Sequence, residues 1–291
     1  MTSSNNIFKS DLRIGKLPCC VTDISYFRKL YDILTEISEE AIELEKSRLN
    51  PINFKTEEEY ENAKNNLKEL LQVNVEIRGS KGEYFLSHEK SIFDESSLPN
   101  FITHISFDNS NLYRYALNAE PANSFHIEFD FSKPTIFDFS NSLSKETSNN
   151  SNIKTIGQNK TWVQGSYERI RSSLEGLKNR RAWLHKKNVY DLFLYLFVIP
   201  VSFLNLYKLE LIFNSVFTDI PSIFIVAIHI YIFILILYLF LMFFKYTRWL
   251  FPYMEFKGSS KNTAALHRSI FSIIILGVVA NIITLLISYL W

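Results

Sequence analysis

The sequence predicts an α+β domain, in which helices flank an antiparallel sheet of about six strands, followed by an α-helical membrane bundle of three spans. Three patterns predict this architecture. Apolar residues recur at helical spacing in the first 72 residues, and they alternate with polar residues between positions 73 and 139. The last third holds two stretches without Asp, Glu, Lys or Arg, each longer than the roughly 20 residues that a helix needs to cross a bilayer.

Two helices are expected at the start of the domain. Thr22 or Asp23 can cap the first, which carries its apolar residues on one face and should end before Pro51. Thr56 and Glu59 have the spacing of a capping box, in which side chains accept hydrogen bonds from free backbone N–H groups. They predict the start of the second helix.

Six strands are predicted, in three hairpin-like pairs, because turn residues such as Gly, Asn and Pro separate consecutive runs. Since apolar and polar residues alternate, one face of the sheet should pack against the helices and the other should face water. The expected strands are residues 73–78, 84–86, 103–108, 112–117, 125–131 and 136–139.

The predicted domain covers residues 1–139. Residues 140–161 are rich in Ser, Asn and Thr and predict a polar loop, with a short strand at Ile153–Ile156. Residues 162–187 carry an apolar stripe at helical spacing and predict a basic connecting helix that runs into the membrane region of residues 188–291.

Three spans are predicted, at about 189–207, 220–244 and 269–291. The first is the weakest because its apolar core is short and contains Pro200, so an interfacial segment is the alternative. With three spans, the basic residues before the first span and those between the last two lie on one side, and Lys and Arg favour the cytoplasmic side. The N-terminal domain should therefore be cytoplasmic, and the C-terminus should lie across the membrane.

The most enzyme-like pattern is His126, Glu128 and Asp130, which share one face of a predicted strand. Such a row can contribute metal ligands, but the solvated face of an amphipathic strand has the same pattern. The sequence has no HExxH, CxxC or GxSxG motif and no Gly-rich phosphate loop. We therefore predict no enzymatic activity, no metal and no cofactor.

Positive charge is concentrated next to the first span. Residues 1–161 carry 18 basic and 24 acidic side chains, whereas residues 162–187 carry seven and two. This distribution is unlike a nucleic-acid-binding domain that is basic throughout. In an oligomer the basic segment could hold a nucleotide or short single-stranded DNA, with the rings of Trp162, Tyr167 and Trp183 stacking on bases. Membrane lipid headgroups are the simpler alternative. The candidate residues are Trp162, Tyr167, Arg169, Arg171, Lys178, Arg180, Arg181, Lys186 and Lys187.

Polar and small residues in membrane helices usually face a partner helix or a water-filled path. Those in the predicted spans are candidates for helix packing or for lining a pore, and three spans enclose a pore only within a ring of subunits. They are Asp191, Ser202 and Asn205 in the first span, His229 in the second, and Gly277, Asn281, Thr284 and Ser288 in the third.

Within residues 157–203, a resemblance is carried by Trp162-Val163, Tyr167, Arg169, Arg180-Arg181, Trp183-Leu184-His185 and Tyr190-Asp191. This segment, about a sixth of the chain, resembles membrane effectors of bacterial anti-phage defence, in particular the HalA effectors of the Hailong system. The resemblance implies a homo-oligomeric channel, such as a tetramer, in the bacterial inner membrane, where the C-terminus expected across the membrane would be periplasmic. It also implies control by an oligonucleotide from a nucleotidyltransferase partner, and depolarisation of the cell when the channel opens.

The sequence thus favours a ligand-gated channel that serves as a defence effector. Two other functions remain open. One is a non-conducting membrane anchor or scaffold whose cytosolic domain recruits a partner protein. The other is a membrane-bound enzyme that uses His126, Glu128 and Asp130.

Overall fold

The computed structural model describes residues 10–94, 96, 98–136, 143–216, 221–258 and 263–290. The chain divides into two compact units. The sheet unit comprises Met1–Ser132, Ser148–Ala182 and Tyr253–Ser259, and the helical unit comprises Lys133–Thr147, Trp183–Pro252 and Ser260–Trp291. A short segment from the last third of the chain, residues 253–259, therefore belongs to the sheet unit.

The sheet unit is built on an antiparallel sheet of six strands, which confirms the predicted type of sheet, although only four of these strands coincide with the six expected ones. Its strands are β1 (Asp11–Lys16), β3 (Asn74–Gly79), β4 (Tyr84–Ser87), β5 (Ile102–Asp108), β6 (Asn123–Asp130) and β7 (Asn152–Gly157), and β2 (Cys20–Asp23) and β8 (Met254–Lys257) form a separate parallel pair. The order across the large sheet is β1-β7-β6-β5-β3-β4. The expected strand at 153–156 is thus an internal strand.

The helices of the sheet unit are α1 (Ile24–Lys46), α2 (Glu57–Leu70), α3 (Asn111–Leu117) and α4 (Lys160–Ser173). The predicted caps of the first two are confirmed. The Asp23 carboxylate accepts a hydrogen bond from the Tyr26 N–H at 2.9 Å, and the Thr56 hydroxyl accepts one from the Glu59 N–H at 3.1 Å. These bonds satisfy N–H groups that have no partner within their own helix.

The core lies between the sheet and α1. Phe27 of α1 is fully buried, and its ring centroid lies 5.0 Å from that of Phe129 on β6 and 6.1 Å from that of Phe107 on β5. Val163 and Ile170 of α4 join the same apolar cluster. The inward side chains of β5 and β6 alternate with partly exposed polar ones, so the predicted division into a packed face and a wet face holds.

Residues 112–117 form a helix, α3, so the strand predicted there is wrong. The Asp108 carboxylate accepts hydrogen bonds from the N–H groups of Ser110 at 2.6 Å and Asn111 at 2.7 Å, and these bonds turn the chain into the helix. Tyr113 is then buried in a small second apolar cluster with Leu67 and Leu71. The strand predicted at 136–139 lies outside the described residues, apart from its first residue.

The connecting segment differs from the single helix expected over 162–187. Helix α4 ends at Ser173, and two short 3₁₀ turns, Glu175–Leu177 and Arg180–His185, follow it. A glycine such as Gly176 is about 1 kcal/mol less favourable than alanine in the interior of a helix. Asn188 has φ of +63°, a left-handed conformation that an α-helix cannot include.

The helical unit contains α5 (Val189–Phe193), α6 (Ile199–Val216), α7 (Ser222–Leu250) and α8 (Thr263–Leu290). A π-helical turn, Leu194–Val198, joins α5 to α6. It immediately precedes Pro200, whose ring nitrogen has no hydrogen to donate to the preceding turn. The predicted interruption of this segment by Pro200 thus appears as a local change in helical winding.

Within the described residues, two helical stretches are long and apolar enough to cross a membrane. They are Val189–Leu211, with a mean hydropathy of 1.8, and Ser222–Leu250, with 2.9. A shorter apolar stretch, Ala265–Gly277, lies in α8. In the most apolar window of each long stretch only 6% and 0% of residues are buried, whereas a core helix of a soluble protein is mostly buried. These helices support membrane association.

Candidate functional site

The outer face of the large sheet carries rows of polar side chains that face each other across the strands. His126 on β6 is paired in register with Asp108 on β5, and their Nδ1 and Oδ2 atoms are 3.3 Å apart. His104 and Asp130 form a second such pair, also at 3.3 Å. The predicted sharing of one face by His126, Glu128 and Asp130 therefore holds, but each has a different partner.

This face does not gather metal ligands. Glu128 lies opposite Ser106 and accepts a hydrogen bond from the side-chain amide of Asn152 at 3.3 Å. No group of three or more His, Cys, Asp or Glu side chains is placed to hold a metal ion in the part of the chain that the structure describes. The row thus gives no geometric support to a metalloenzyme.

A cavity of about 250 Å³ opens where the outer face meets the start of α3. Cationic and neutral donors converge on it from β6, β7 and α3. Its lining residues are Asp108, Ser110, Asn111, Arg114, Ser124, Phe125, His126, Lys154 and Ile156. Most of these residues were not predicted as site residues, because Lys154 lies in the short strand expected within the polar loop and Arg114 lies in a strand that was predicted wrongly. The alternation of Asn152, Lys154 and Ile156 with Ile153 and Thr155 was the available indication that these three side chains share one face of a strand.

Asp108 is ionised at neutral pH and fixes the geometry of this cavity. Burial alone would raise its pKa, but hydrogen bonds from His126 and from the Ser110 and Asn111 amides hold the pKa below its usual value. The same carboxylate also accepts a hydrogen bond from the Ser110 hydroxyl at 3.1 Å. It therefore orients the imidazole of His126 and the first residues of α3 together.

Of the three aromatic residues proposed to stack on bases, Trp183 is half exposed, whereas Trp162 and Tyr167 pack into the sheet unit. Trp162 is 5% exposed, and its indole N–H donates a hydrogen bond to the Ile37 carbonyl at 3.3 Å. Tyr167 is half-buried against the main core. Both residues hold α4 against the rest of the sheet unit, because the apolar stripe of that helix is also its packing face.

Several basic candidates are engaged in ion pairs. Arg169 contacts Glu36 at 2.6 Å and Glu40 at 2.7 Å on α1. Lys178 is paired with Glu175 at 3.3 Å, and Arg181 with Glu255 at 2.7 Å. The candidates that are exposed and have no ion pair among the described residues are Arg171 and Arg180 in the sheet unit and Lys186 and Lys187 in the helical unit.

Strand β8 attaches the connection between α7 and α8 to the sheet unit. It pairs with β2 in parallel over four residues, from Cys20 opposite Met254 to Asp23 opposite Lys257. Met254 is 3% exposed, and the Phe256 ring lies 5.6 Å from that of Phe131 and 6.1 Å from that of Phe27. A segment that the sequence places between two spans therefore completes the core of the sheet unit.

Polar contacts strengthen this attachment. The Arg181 guanidinium forms an ion pair with the Glu255 carboxylate, and the side chain of Glu255 is only 14% exposed. Cys19 and Cys20 are buried beside this segment, and burial raises the pKa of Cys19 to about 11 and that of Cys20 to about 12. Both cysteines are therefore thiols that pack in the core, without the thiolate character of a reactive site.

The polar residues of the first predicted span differ in their burial. Ser202 is fully buried, and its hydroxyl donates to the Val198 carbonyl at 2.6 Å, whereas Asn205 is exposed and donates to the Val201 carbonyl at 2.9 Å. Asp191 accepts a hydrogen bond from the Ser144 hydroxyl at 2.6 Å. A π-helical turn separates Asp191 from Ser202 and Asn205, which lie three residues apart on α6.

The other two apolar helices place their polar residues differently. His229 of α7 donates its Nδ1–H to the Ile225 carbonyl at 2.7 Å, and its ring lies 6.1 Å from that of Phe213. On α8, Gly277 and Thr284 are exposed, and a Cβ added to Gly277 would meet no atom within 4 Å. The side chains of Asn281 and Ser288 lie outside the described residues.

Comparisons with family models, with curated proteins and with solved structures found no match. A functional proposal for this chain therefore depends on its own geometry.

Proposed function

We propose that the chain is an oligomeric, ligand-gated channel of the bacterial inner membrane that acts as an effector of anti-phage defence. In this proposal the sheet unit is cytoplasmic, senses a nucleotide or oligonucleotide, and controls a pore formed by the apolar helices of several copies. Opening of that pore depolarises the membrane. The observation that carries the proposal is strand β8, through which the α7–α8 connection forms part of the sheet unit.

Strand β8 supports the proposed topology. A segment that pairs with β2 lies on the same side of the membrane as the sheet unit, so α7 and α8 both have an end on that side. Lys245, Arg248 and Arg268 flank this connection, and basic residues favour the cytoplasmic side. With α5 and α6 as a first span, three spans leave the N-terminal domain cytoplasmic and the C-terminus periplasmic.

Strand β8 also supports coupling between sensing and gating. A rearrangement of the sheet unit that moves β2 must move β8, because the two strands share a ladder, a buried Met254 and the Arg181–Glu255 ion pair. Only a few residues separate β8 from the end of α7 at Leu250. A ligand can shift such an equilibrium only if it binds one arrangement more tightly than the other.

Assembly of several copies is supported by the open faces of the apolar helices. Three spans cannot enclose a water-filled path, so a pore requires a ring of copies such as a tetramer. Gly277 and Thr284 face away from the rest of the chain, and small or hydroxyl residues at such positions allow close approach of a second helix. The resemblance to HalA effectors implies the same kind of assembly and a nucleotidyltransferase partner that supplies the ligand.

A charge exchange at Arg181 and Glu255 tests the proposal. Purified full-length protein in liposomes should release an entrapped ion, and candidate nucleotides and short oligonucleotides should change the rate. Arg181→Glu and Glu255→Arg should each weaken the response to ligand, and the double variant should restore it. Impermeability of well-ordered oligomers with every ligand tested would reject the channel.

The outer face of the sheet favours one alternative, a non-conducting anchor or scaffold that recruits a partner protein. Leu12, Ile14, Tyr84 and Leu86 are each at least half exposed on this face. Substitution of these residues would abolish activity in a scaffold, and ion flux would be absent throughout. A replacement membrane anchor that restores activity in cells, with β8 retained, would favour the scaffold.

A further inference from the structure

The cavity beside α3 presents more donors than acceptors. Lys154 projects from β7 next to His126, to which it is paired in register, and it has no carboxylate partner within the described residues. Arg114 approaches from α3, and the hydroxyl of Ser124 and the side chain of Asn111 complete the lining. These groups together offer an ammonium, a guanidinium, an amide and a hydroxyl to one ligand.

The acceptors of this cavity are already occupied. Both oxygens of Asp108 are engaged, by the Ser110 and Asn111 amides, the Ser110 hydroxyl and His126. Glu120, which does not line the cavity, pairs with Arg114 at 2.8 Å, but both side chains are well exposed and such a pair contributes little. Among the charged residues that line the cavity, Lys154 and Arg114 outnumber Asp108, so the lining carries a net positive charge.

We propose that this cavity binds a phosphomonoester, the terminal phosphate of a small organic molecule or of a short oligonucleotide. A phosphomonoester carries close to two negative charges at neutral pH and three strong acceptor oxygens, which matches donors that converge from several directions. A carboxylate has fewer acceptor sites and one charge.

The size of the cavity limits the enclosed part of the ligand to one such group and a small remainder. A volume of about 250 Å³ equals that of roughly eight water molecules at liquid density. This volume holds a phosphate with an attached sugar or ring, and the rest of an oligonucleotide would lie outside the cavity. The inference rests on the proposed function in one respect, since it assigns the site of the ligand that controls the channel. The test of binding does not depend on flux.

Calorimetric titration of the full-length protein in detergent tests the site. Adenosine monophosphate should bind and adenosine should not, because adenosine lacks the phosphate. Lys154→Gln and Arg114→Gln should each weaken binding about tenfold or more, the usual effect of losing a charge-assisted hydrogen bond. Lys16→Gln is the matched control, because Lys16 is an exposed lysine on the same face of the sheet but outside the cavity. It should leave the affinity unchanged.

Further titrations separate the two sources of the phosphate. Tighter binding of a 5′-phosphorylated oligonucleotide than of adenosine monophosphate assigns the site to a polymer end, and the reverse assigns it to a free nucleotide. Equal binding of adenosine and its monophosphate, no binding of either, or equal effects of the Lys154 and Lys16 variants would overturn the proposal. Phosphate-dependent binding without ion flux would retain the site and reject the channel, and flux without such binding would do the opposite.

Discussion

His185 is a buried histidine that is held neutral by its surroundings. It is 2% exposed, its Nε2–H donates to the Phe251 carbonyl at 2.9 Å, and its Nδ1 accepts from the Thr147 hydroxyl at 2.9 Å. Burial lowers the pKa of His185 to about 4, the hydrogen bond to the Phe251 carbonyl opposes this effect, and the charge of Arg248 adds to it. The imidazole therefore contributes to stability only while it is uncharged.

Acidification should destabilise the helical unit through this residue. The unfolded chain binds a proton at His185 below about pH 6.5, whereas the folded chain does so only near pH 4. Stability should fall as the pH falls from 6.5 to 4 and should lose nothing more from this group below pH 4. The unfolding temperature in detergent measures this. His185→Gln should flatten the decline, whereas His88→Gln, at an exposed position, should leave it as in the wild type. The same dependence of the unfolding temperature on pH in all three proteins would contradict the prediction.

The side-chain roles that depend on local sequence were predictable, and those that depend on distant contacts were not. The caps at Asp23 and Thr56 follow from spacings of three residues, and both are confirmed. The pairing of Arg169 with Glu36 and Glu40 joins positions more than 120 residues apart. The burial of Trp162 has the same origin, since the stripe that predicted helix α4 does not show which surface it covers. Exposure, on which ligand contact depends, is set by tertiary packing.

Strand β8 was missed because its four residues lie between two apolar helices, where a short loop is the simplest expectation. Alternation of Met254 and Phe256 with charged residues was a weak signal, and its partner β2 is more than 200 residues away. Helix α3 was missed for another reason. A seven-residue segment can satisfy helical and strand periodicity alike, and the Asp108 carboxylate, which accepts from the N–H of its first residue Asn111, lies in the preceding strand. Strands with longer alternation, such as β5 and β6, were predicted correctly.

Loss of the Phe256 ring should loosen β8 from the sheet unit. The ring packs against Phe27 and Phe131 and is partly buried, so Phe256→Ala should lower the free energy of unfolding by about 2 kcal/mol. Lys257→Ala, on the same strand at an exposed position, should change it by less than about 0.5 kcal/mol. Hydrogen exchange of the Cys20–Asp23 amides should rise in the first variant only. Equal exchange in the two variants would show that β8 does not depend on this packing.

The molecule as a whole joins a sheet unit whose core is complete to apolar helices that bury little of their own surface. The core of the sheet unit includes residues from β8, so removal of the last third of the chain would also open that core. The helices, by contrast, expose long apolar side chains such as Ile223 and Tyr231. Exposed apolar area of this extent is unfavourable in water, which supports membrane association of these helices.

Gly277 offers a test of whether a second copy covers α8. It is exposed with open space around it, and a leucine there would hold two close-packed helices apart. If α8 lies at a subunit interface, Gly277→Leu should weaken association about tenfold, equal to ~1.4 kcal/mol, and should reduce ion flux with it.

Ser272→Leu is the matched control. Ser272 is also exposed on α8, but five residues away and hence roughly 140° around the helix. Native mass spectrometry and cross-linking in liposomes measure the oligomer. If the wild type is strictly monomeric in both, no ring of subunits exists to enclose a pore, and a non-conducting membrane anchor explains the molecule better.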